Sequence, residues 1–297
     1  MRPATSSVVY LGARMSPENF EFIARLLREQ SGLVLTRDKG YLVENRLAPV
    51  VREFGFKSVT DLAEAVKNGA AALRTAVVDA MISKDTGFFR DWTPFVHFQS
   101  VVLPNIIRAR SAKKNIRILC AGCSSGQEAY SIAMSLRDAA ASLSGWKAEI
   151  VGIDISSAAV ADAVSGNYSQ FDVQKGLPVR KLLTYFTKDS EHWKINPGVQ
   201  GMVQFKTWNL LEDLYPLGRF DVVLCRNVLV YFDLKTKLDV LQKISRVLAD
   251  DGVLYLGLDD AASGVSGNFH SIVPDQGIYA VQRSGHPSSS SLAAKAP

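Results

Sequence analysis

Cysteine, histidine and long apolar runs are all scarce in this 297-residue sequence, and each scarcity narrows the possible fold and chemistry. The three cysteines are few, and an odd number of them cannot all pair, so a disulfide framework is not expected. The absence of such a framework fits a reducing compartment. No apolar run approaches the roughly 18 residues of a membrane-spanning helix. Residues 1–12 also lack the layout of a signal peptide. We therefore expect a cytoplasmic protein that does not insert directly into a membrane.

Patterns of metal ligands are equally weak. Cys120 and Cys123 have the spacing of a Cys-x-x-Cys pair, but no second pair and no histidine partner accompany them. Such cysteines usually behave as small buried hydrophobic residues. The sequence therefore predicts no metal site.

The charge balance is weakly basic, with a net charge of +5. A basic surface raises the encounter rate with acidic proteins, nucleic acids and anionic membranes alike, so it does not identify a partner. The basic residues clustered between 108 and 117 are interpreted most simply as a solvated helix end before a strand. Nucleic acid is therefore not an expected partner.

The first part of the chain has the apolar spacing of helices. Ser16 can cap a helix, and Phe20, Ile23 and Leu27 then lie on one of its faces. Similar patterns recur as far as Met81, without strand-like alternation. We predict a flexible segment over residues 1–15 and an all-helical domain over 16–85.

After Pro104 the pattern changes to short apolar runs separated by helical stretches, which indicates a mostly parallel α/β sheet with helices on both faces. The runs cover residues 116–121, 149–153, 220–224 and 253–256. Residues of about 167–207 contain proline, glycine and two strand-like pieces, which predict a small β subdomain. The tail, residues 284–297, is rich in serine, alanine and proline and is predicted to be disordered.

The first apolar run leads into a glycine-containing turn and then a helix. Residues 120–126 read Cys-Ala-Gly-Cys-Ser-Ser-Gly, and the next run ends in Asp154. A carboxylate at such a strand end can accept both hydroxyl hydrogens of a ribose. A tight turn, and a carboxylate that caps the helix at Ser156, are the structural alternatives. An adenosine-containing ligand fits both features, but dehydrogenases and methyltransferases remain equally open at this point.

Four segments, taken in order, resemble the signatures of the chemotaxis receptor methyltransferases, the CheR family. They are Ser-Lys-Asp-Thr-Gly-Phe-Phe-Arg-Asp at 83–91, Gly-Gln-Glu-Ala-Tyr-Ser within 121–134, Val-Gly-Ile-Asp-Ile-Ser at 151–156, and Cys-Arg-Asn-Val with Tyr-Phe-Asp within 220–233. The resemblance extends from about Phe20 to Gln282. It implies a Rossmann-like class I methyltransferase sheet with a small antiparallel β subdomain, preceded by an all-α domain. The methyltransferase domain would cover 105–283, and a linker over 86–104 would contribute to the cofactor site.

The resemblance also implies an activity, a cofactor and a partner. The cofactor would be S-adenosyl-L-methionine, with S-adenosyl-L-homocysteine as product, and the methyl acceptors would be glutamate γ-carboxylates in the cytoplasmic domain of methyl-accepting chemotaxis receptors. Arg90 and Tyr231 match the residues that the family places beside the transferred methyl group, so they are the catalytic candidates. Cofactor contacts are implied for Thr86, Arg90, Ala121, Glu128, Asp154, Asn209, Leu210, Arg226 and Asn227.

Elementary chemistry is consistent with these roles. A glutamate with a pKa of about 4.3 is already ionised at neutral pH, so methyl transfer to it requires no general base. Orientation of the reactants can then provide much of the rate enhancement. The structural alternatives are that Arg90 only ties the linker to the sheet and that Tyr231 only packs at a strand end.

Several positions depart from the family pattern. Lys84 stands where asparagine is usual, and Gln127 where glutamate is usual. Gly257-Leu258-Asp259-Asp260 replaces Gly-His-Ser-Glu, so a polar contact there is expected to differ. A cation at Lys84, close to a cationic sulfonium, would weaken cofactor binding unless it turned to solvent or paired with Asp85. Lys84 and Gln127 leave open a regulatory protein that binds the cofactor without turnover. A methyltransferase acting on a non-receptor substrate is the other alternative, because a fold does not fix its substrate.

The β insertion is shorter than in relatives that dock a C-terminal receptor pentapeptide. We therefore predict that the receptor is bound without pentapeptide tethering.

Overall fold

The computed structural model describes residues 15–69, 71–262, 264–265 and 267–282. The segment predicted to be flexible, 1–15, lies outside these ranges apart from Met15, and so does the predicted disordered tail, 284–297. The chain divides into two compact units, Met1–Ser83 and Lys84–Pro297. In the part of the chain that the structure describes, no helix combines the length and apolarity needed to cross a bilayer.

The first unit is a bundle of helices. They are α1 (Pro17–Ser31), α2 (Gly40–Glu53), α3 (Val59–Lys67) and α4 (Ala71–Met81), with a 3₁₀ turn at Arg37–Lys39 before α2. Ser16 caps α1 by accepting the Asn19 amide at 3.2 Å, and Gly32 ends the helix in the left-handed conformation. The apolar faces of all four helices meet in a core that includes the fully buried Ile23, Leu27, Leu47, Leu62 and Val77.

The second unit is built on a seven-stranded sheet with the order β6-β2-β1-β7-β8-β10-β9. The strands are β1 (Asn115–Ala121), β2 (Lys147–Asp154), β6 (Val203–Thr207), β7 (Phe220–Cys225), β8 (Leu248–Leu256), β9 (Phe269–Val273) and β10 (Ile278–Val281). The strands from β6 to β8 are parallel, whereas β10 is antiparallel to both of its neighbours. The chain progresses outward in opposite directions from β1 and β7, so a crevice is expected at the carboxyl ends of these two strands.

Helices cover both faces of this sheet. The described helices of the second unit are α5 (Thr93–His97), α6 (Leu103–Ala109), α7 (Gln127–Asp138), α8 (Ser157–Ser165), α9 (Gln170–Gln174), α10 (Val179–Tyr185), α11 (Pro197–Gln200), α12 (Leu234–Val247) and α13 (Leu258–Ala262). Of these, α9 and α10 lie against the small sheet described below. A π-helical turn, Phe98–Val102, joins α5 to α6. Alternate residues of β1 enter two separate cores: Ile118 packs with α7 on one face, and Leu119 packs with α12 on the other.

A small antiparallel sheet follows α8. Its strands are β3 (Asn167–Ser169), β4 (Phe186–Asp189) and β5 (His192–Ile195), in the order β3-β5-β4. The β subdomain assigned from sequence to 167–207 extends too far, because its second strand-like piece is β6, which pairs in parallel with β2. Phe205 of β6 lies against Gly152 of β2, where any side chain would overlap its ring. A strand at the edge of the main sheet and a strand of an insertion have similar local patterns, so the sequence did not distinguish them.

Aromatic rings connect the small sheet to the turn after β1. Tyr168 packs edge-on against Phe88, with ring centroids 5.0 Å apart, and against Phe186 at 6.1 Å. The Tyr168 hydroxyl donates a hydrogen bond to the carbonyl of Ser125 at 2.7 Å. Through this contact the small sheet supports the turn that precedes α7.

We predict that Tyr168→Phe destabilises the second unit by about 0.5–1.5 kcal/mol, because the ring packing is kept while the Ser125 carbonyl loses its donor. All four tryptophans lie in the second unit, so tryptophan fluorescence during urea unfolding reports on it alone. Tyr215→Phe, at a side chain that is 75% exposed, serves as the control and should leave the midpoint unchanged. Equal midpoints for Tyr168→Phe and wild type would contradict the supporting role of this hydroxyl.

Candidate active site

The candidate site lies where β1, β2 and β7 end. Ala121 is the last residue of β1 and is buried, and Gly122 and Gly126 follow with positive φ angles of 76° and 92°. A Cβ atom at Gly122 would overlap the side chain of Val228, in the turn after β7. Glycine is therefore required here both by the backbone conformation and by the close approach of a second turn.

Asp154 ends β2 and is 8% exposed. Its carboxylate accepts the amides of Ser124 at 2.8 Å and Ser156 at 2.9 Å. Burial raises the pKa of Asp154, although these hydrogen bonds oppose the shift. Ser156 itself caps α8 by accepting the Ala159 amide, so the carboxylate of Asp154 is not the helix cap. A carboxylate has about four acceptor positions, which leaves capacity for a pair of ligand hydroxyl groups.

Glu128 and Arg226 form a largely buried ion pair beside this turn. Glu128 lies in the first turn of α7, and its carboxylate accepts Arg226 Nη1 at 2.8 Å. Arg226 directly follows β7, and its side chain is only 2% exposed. Burial raises the pKa of Glu128, and the charge of Arg226 opposes this shift. The Nε atom of Arg226 is buried and has no hydrogen-bond acceptor among the described residues.

Arg90 lies in the segment before α5, with a side chain that is 35% exposed. Its Nη1 donates to the carbonyl of Asp85 at 3.0 Å and lies 3.5 Å from the Asp85 carboxylate. Asp85 also accepts the Lys175 ammonium group, and these contacts, with Lys175 first, lower the pKa of Asp85. Thr86, between Asp85 and this arginine, is half-buried.

Lys84 and Gln127, the two residues noted above as unusual in this region, differ in their exposure to solvent. Lys84 is exposed, and its charge acts on Asp154, where it opposes the raising of that pKa by burial. The Gln127 side chain is buried and accepts the Ser125 hydroxyl at 3.0 Å, within the turn itself.

The turn after β7 carries Asn227 and Tyr231. Asn227 adopts a positive φ of 59°, which asparagine tolerates better than most residues. Tyr231 ends a 3₁₀ turn, Leu229–Tyr231, and is 40% exposed.

Asp260 of α13 holds this turn in place, a role that the sequence did not predict. One oxygen of its fully buried carboxylate accepts the amides of Asn227 at 2.5 Å and Gly257 at 3.0 Å, and the other accepts the Val230 amide at 2.8 Å. The Lys237 ammonium donates to the carbonyl of the same aspartate. The only signal in the sequence was the acidic residue that closes Gly-Leu-Asp-Asp at the end of β8.

Asn209 and Leu210 follow β6, beside the end of β2. The Trp208 amide donates to the carbonyl of Asp154 at 2.8 Å, which brings this segment to the same edge of the sheet. The Asn209 side-chain oxygen accepts the Leu211 amide at 3.0 Å, and Leu210 is buried. Trp208 Nε1 is buried and has no acceptor in the described part of the chain.

The residues singled out from sequence thus converge on one edge of the sheet. Thr86 and Arg90 join it through the segment before α5, whose Arg90 carbonyl accepts Arg226 Nη2 at 2.9 Å. The cysteines contribute no reactive group, since all three are buried and burial raises their pKa values. Within the described ranges, no group of three or more His, Cys, Asp or Glu side chains could hold a metal ion.

Comparison of the sequence with models of known protein families identifies the family to which the chain belongs. A family model described as "CheR methyltransferase, SAM binding domain" matches residues 84–278, and one described as "CheR methyltransferase, all-alpha domain" matches residues 18–82. The chain belongs to the CheR methyltransferase family.

Individual members of the CheR family are similar over nearly their whole length. Chemotaxis protein methyltransferase 1 of Pseudomonas aeruginosa is 35% identical over 264 residues, which cover 88% of this chain and 96% of that protein. Chemotaxis protein methyltransferase Cher2 of Pseudomonas putida is 34% identical, with the same coverage of both chains. Chemotaxis protein methyltransferase 1 of Vibrio cholerae is 34% identical, covering 89% of this chain and 96% of its own length.

This CheR-family chain is therefore a chemotaxis protein methyltransferase that uses S-adenosyl-L-methionine as its methyl donor. The family, the fold class, the methyltransferase activity and the cofactor expected from sequence are confirmed. The polar groups at the site fit the cofactor, since Asp154 has acceptor capacity for hydroxyl groups and Glu128 provides an anion for an ammonium group. The buried Nε of Arg226 and the glycine turn add a donor and close backbone access.

We predict that Asp260→Asn destabilises the second unit by about 1–3 kcal/mol, because both carboxylate oxygens accept amide hydrogens and an amide nitrogen cannot replace either. Urea unfolding followed by tryptophan fluorescence measures this loss. Asp259→Asn removes the same charge from the exposed neighbouring residue and should have little effect. If the two variants unfolded at the same urea concentration, the anchoring role of Asp260 would be wrong.

Proposed function

We propose that this methyltransferase esterifies glutamate γ-carboxylates in the cytoplasmic domain of methyl-accepting chemotaxis receptors, and that it acts in the cytoplasm. The observation that carries the proposal is the partly exposed guanidinium of Arg90, a residue whose backbone carbonyl accepts the same Arg226 side chain that pairs with Glu128. An arginine in this position can orient an incoming carboxylate through a forked pair of hydrogen bonds. The names of the relatives, chemotaxis protein methyltransferases, support a receptor as the source of that carboxylate.

The cofactor would be held by residues along the carboxyl ends of the strands. Asp154 would accept the ribose hydroxyl groups, and Glu128 would face the ammonium of the methionine part. Asn209 and Leu210 would contact the adenine. The remaining contacts are proposed for Thr86, Arg90, Ala121, Arg226 and Asn227.

When bound, S-adenosyl-L-methionine supplies an electrophilic methyl group: a glutamate oxygen forms the new C–O bond, the S–CH₃ bond breaks with its electron pair retained by sulfur, and a methyl ester and S-adenosyl-L-homocysteine result. The protein has no proton to move, because the glutamate is already ionised at neutral pH. Its contribution is orientation, for which we assign Arg90 to the carboxylate and Tyr231 to a hydrogen bond at the same oxygen or beside the sulfonium. Such positioning can provide several kcal/mol of rate enhancement.

The exposure of these two side chains supports their assignment. Arg90 and Tyr231 are 35% and 40% exposed, whereas Glu128 and Arg226 are largely withdrawn from solvent. A protein substrate can therefore reach the first pair directly, while the second pair faces inward. This division matches what the transfer of a small group to a macromolecule requires.

We predict that the wild-type enzyme transfers a labelled methyl group from S-adenosyl-L-methionine to receptor cytoplasmic fragments, and that the label is released by mild base, as expected of an ester. Arg90→Lys should lower turnover about ten-fold or more, because a point charge cannot reproduce forked orientation. Arg219→Lys is the control. Arg219 pairs with Asp250 near the amino ends of β7 and β8, whereas the site lies at the carboxyl ends of the strands.

Each alternative has its own outcome in this experiment. Base-stable label would refute esterification. No label on receptor fragments, with normal cofactor binding by calorimetry, would point to a non-receptor substrate. Equal turnover of Arg90→Lys and Arg219→Lys would remove Arg90 from its proposed role.

We also propose that the receptor binds without a pentapeptide tether. Strands β4 and β5 pair directly from Asp189 to His192, so only Ser190 and Glu191 separate them. Such a tight hairpin has no additional glycine-rich segment to receive a peptide. Titration calorimetry with the C-terminal pentapeptide of a tethering receptor should show no binding at about 100 μM, whereas micromolar affinity would contradict this proposal.

A further inference from the structure

We propose that Arg226 and Asp91 form a clamp that positions Arg90 for methyl transfer. The inference deepens the proposed function and rests on the role assigned there to Arg90. Arg226 would then be a positioning residue that acts through the segment before α5, in addition to its contact with Glu128.

The clamp consists of three charge-assisted contacts to one buried guanidinium. Nη1 of Arg226 donates to Glu128 at 2.8 Å, whereas Nη2 donates to the Asp91 carboxylate at 2.6 Å and to the Arg90 carbonyl at 2.9 Å. The two terminal nitrogens therefore face different neighbours. Nη1 forms the ion pair with Glu128 at the start of α7. Nη2 binds the backbone carbonyl of Arg90 and the side chain of the next residue, Asp91.

The segment that contains Arg90 and Asp91, residues 89–92, has an unusual backbone conformation that these contacts support. Phe89, Asp91 and Trp92 have φ angles of 49°, 63° and 45°, in the left-handed region that non-glycine residues seldom adopt. Residues held there persist only when their surroundings fix them. The Phe89 amide donates to the Ser131 hydroxyl at 3.0 Å, which fixes one side of Arg90, and Arg226 fixes the other.

Burial makes the clamp rigid on one side and open to substitution on the other. The Arg226 side chain is 2% exposed, so it cannot reorient without losing its partners, whereas the Asp91 side chain is 50% exposed. The Phe95 ring also lies 5.7 Å from the guanidinium carbon. Asp91 can therefore be changed without opening the core, and Arg226 keeps Glu128 when that happens.

Arg226 has two separable roles: it holds the segment that carries Arg90 through Asp91, and it pairs with Glu128. Loss of the Asp91 contact should loosen the segment that carries Arg90, while the Glu128 pair proposed to face the cofactor remains. The expected signature is impaired turnover at normal cofactor affinity. A general structural defect would lower both together.

Asp91→Asn tests the clamp, because asparagine has the same shape and tolerates a positive φ. We expect kcat to fall about five-fold, since a charge-assisted hydrogen bond becomes a neutral one. The dissociation constant of S-adenosyl-L-methionine, measured by calorimetry, should change by less than about two-fold. Amide hydrogen exchange in residues 88–92 should become faster.

The matched control is Asp251→Asn. The Asp251 side chain is 51% exposed and pairs with Arg110 at 2.5 Å, near the start of β8 and away from the site. It undergoes the same chemical change at the same exposure and should alter neither turnover nor exchange in residues 88–92.

The outcomes separate the clamp from the proposed function. Unchanged exchange in Asp91→Asn, or faster exchange with unchanged kcat, would overturn the clamp, as would a proportional loss of cofactor affinity. If wild type does not methylate receptor fragments, the proposed function fails, and hydrogen exchange alone still decides whether Asp91 holds the segment.

Discussion

The buried guanidinium of Arg226 is the interaction on which the candidate site depends. It connects the end of β7 to the first turn of α7 through Glu128, and to the segment before α5 through Asp91 and the Arg90 carbonyl. Removing a buried charge from its partners is costly, so these three segments are held in a fixed arrangement. The parallel strands bring the site residues to the carboxyl ends of β1, β2 and β7. Arg226 then fixes the positions of Glu128, Asp91 and the Arg90 backbone relative to one another.

A second buried charge, Asp260 of α13, has a comparable role in the turn that directly follows Arg226. The Asp260 carboxylate organises the amides of the turn after β7, although burial raises its pKa. That turn contains a residue with positive φ, Asn227, and leads to the exposed Tyr231. Both catalytic candidates are thus carried by strained segments that buried ionic groups stabilise, which is the usual location of strain in enzymes.

The sequence predicted the architecture well because periodicity and turn residues are local signals. The helical first unit, the alternating strands and helices, and the glycine turn followed by Asp154 could all be identified from spacing alone. The contacts of Asp91 and Asp260 could not, because each joins residues that are far apart in the chain. The extent of the β subdomain was also misjudged, since only pairing with β2 assigns β6 to the main sheet.

The contact between Gly122 and Val228 has a consequence for how the family can diverge. One residue belongs to the turn after β1, which we propose faces the cofactor, and the other belongs to the turn that leads to Tyr231. There is no space between them for another methyl group. A larger residue at either position would push the two turns apart. We therefore expect that a larger residue at position 122 would be tolerated only with a smaller residue at position 228, so that the shapes of the two turns depend on each other.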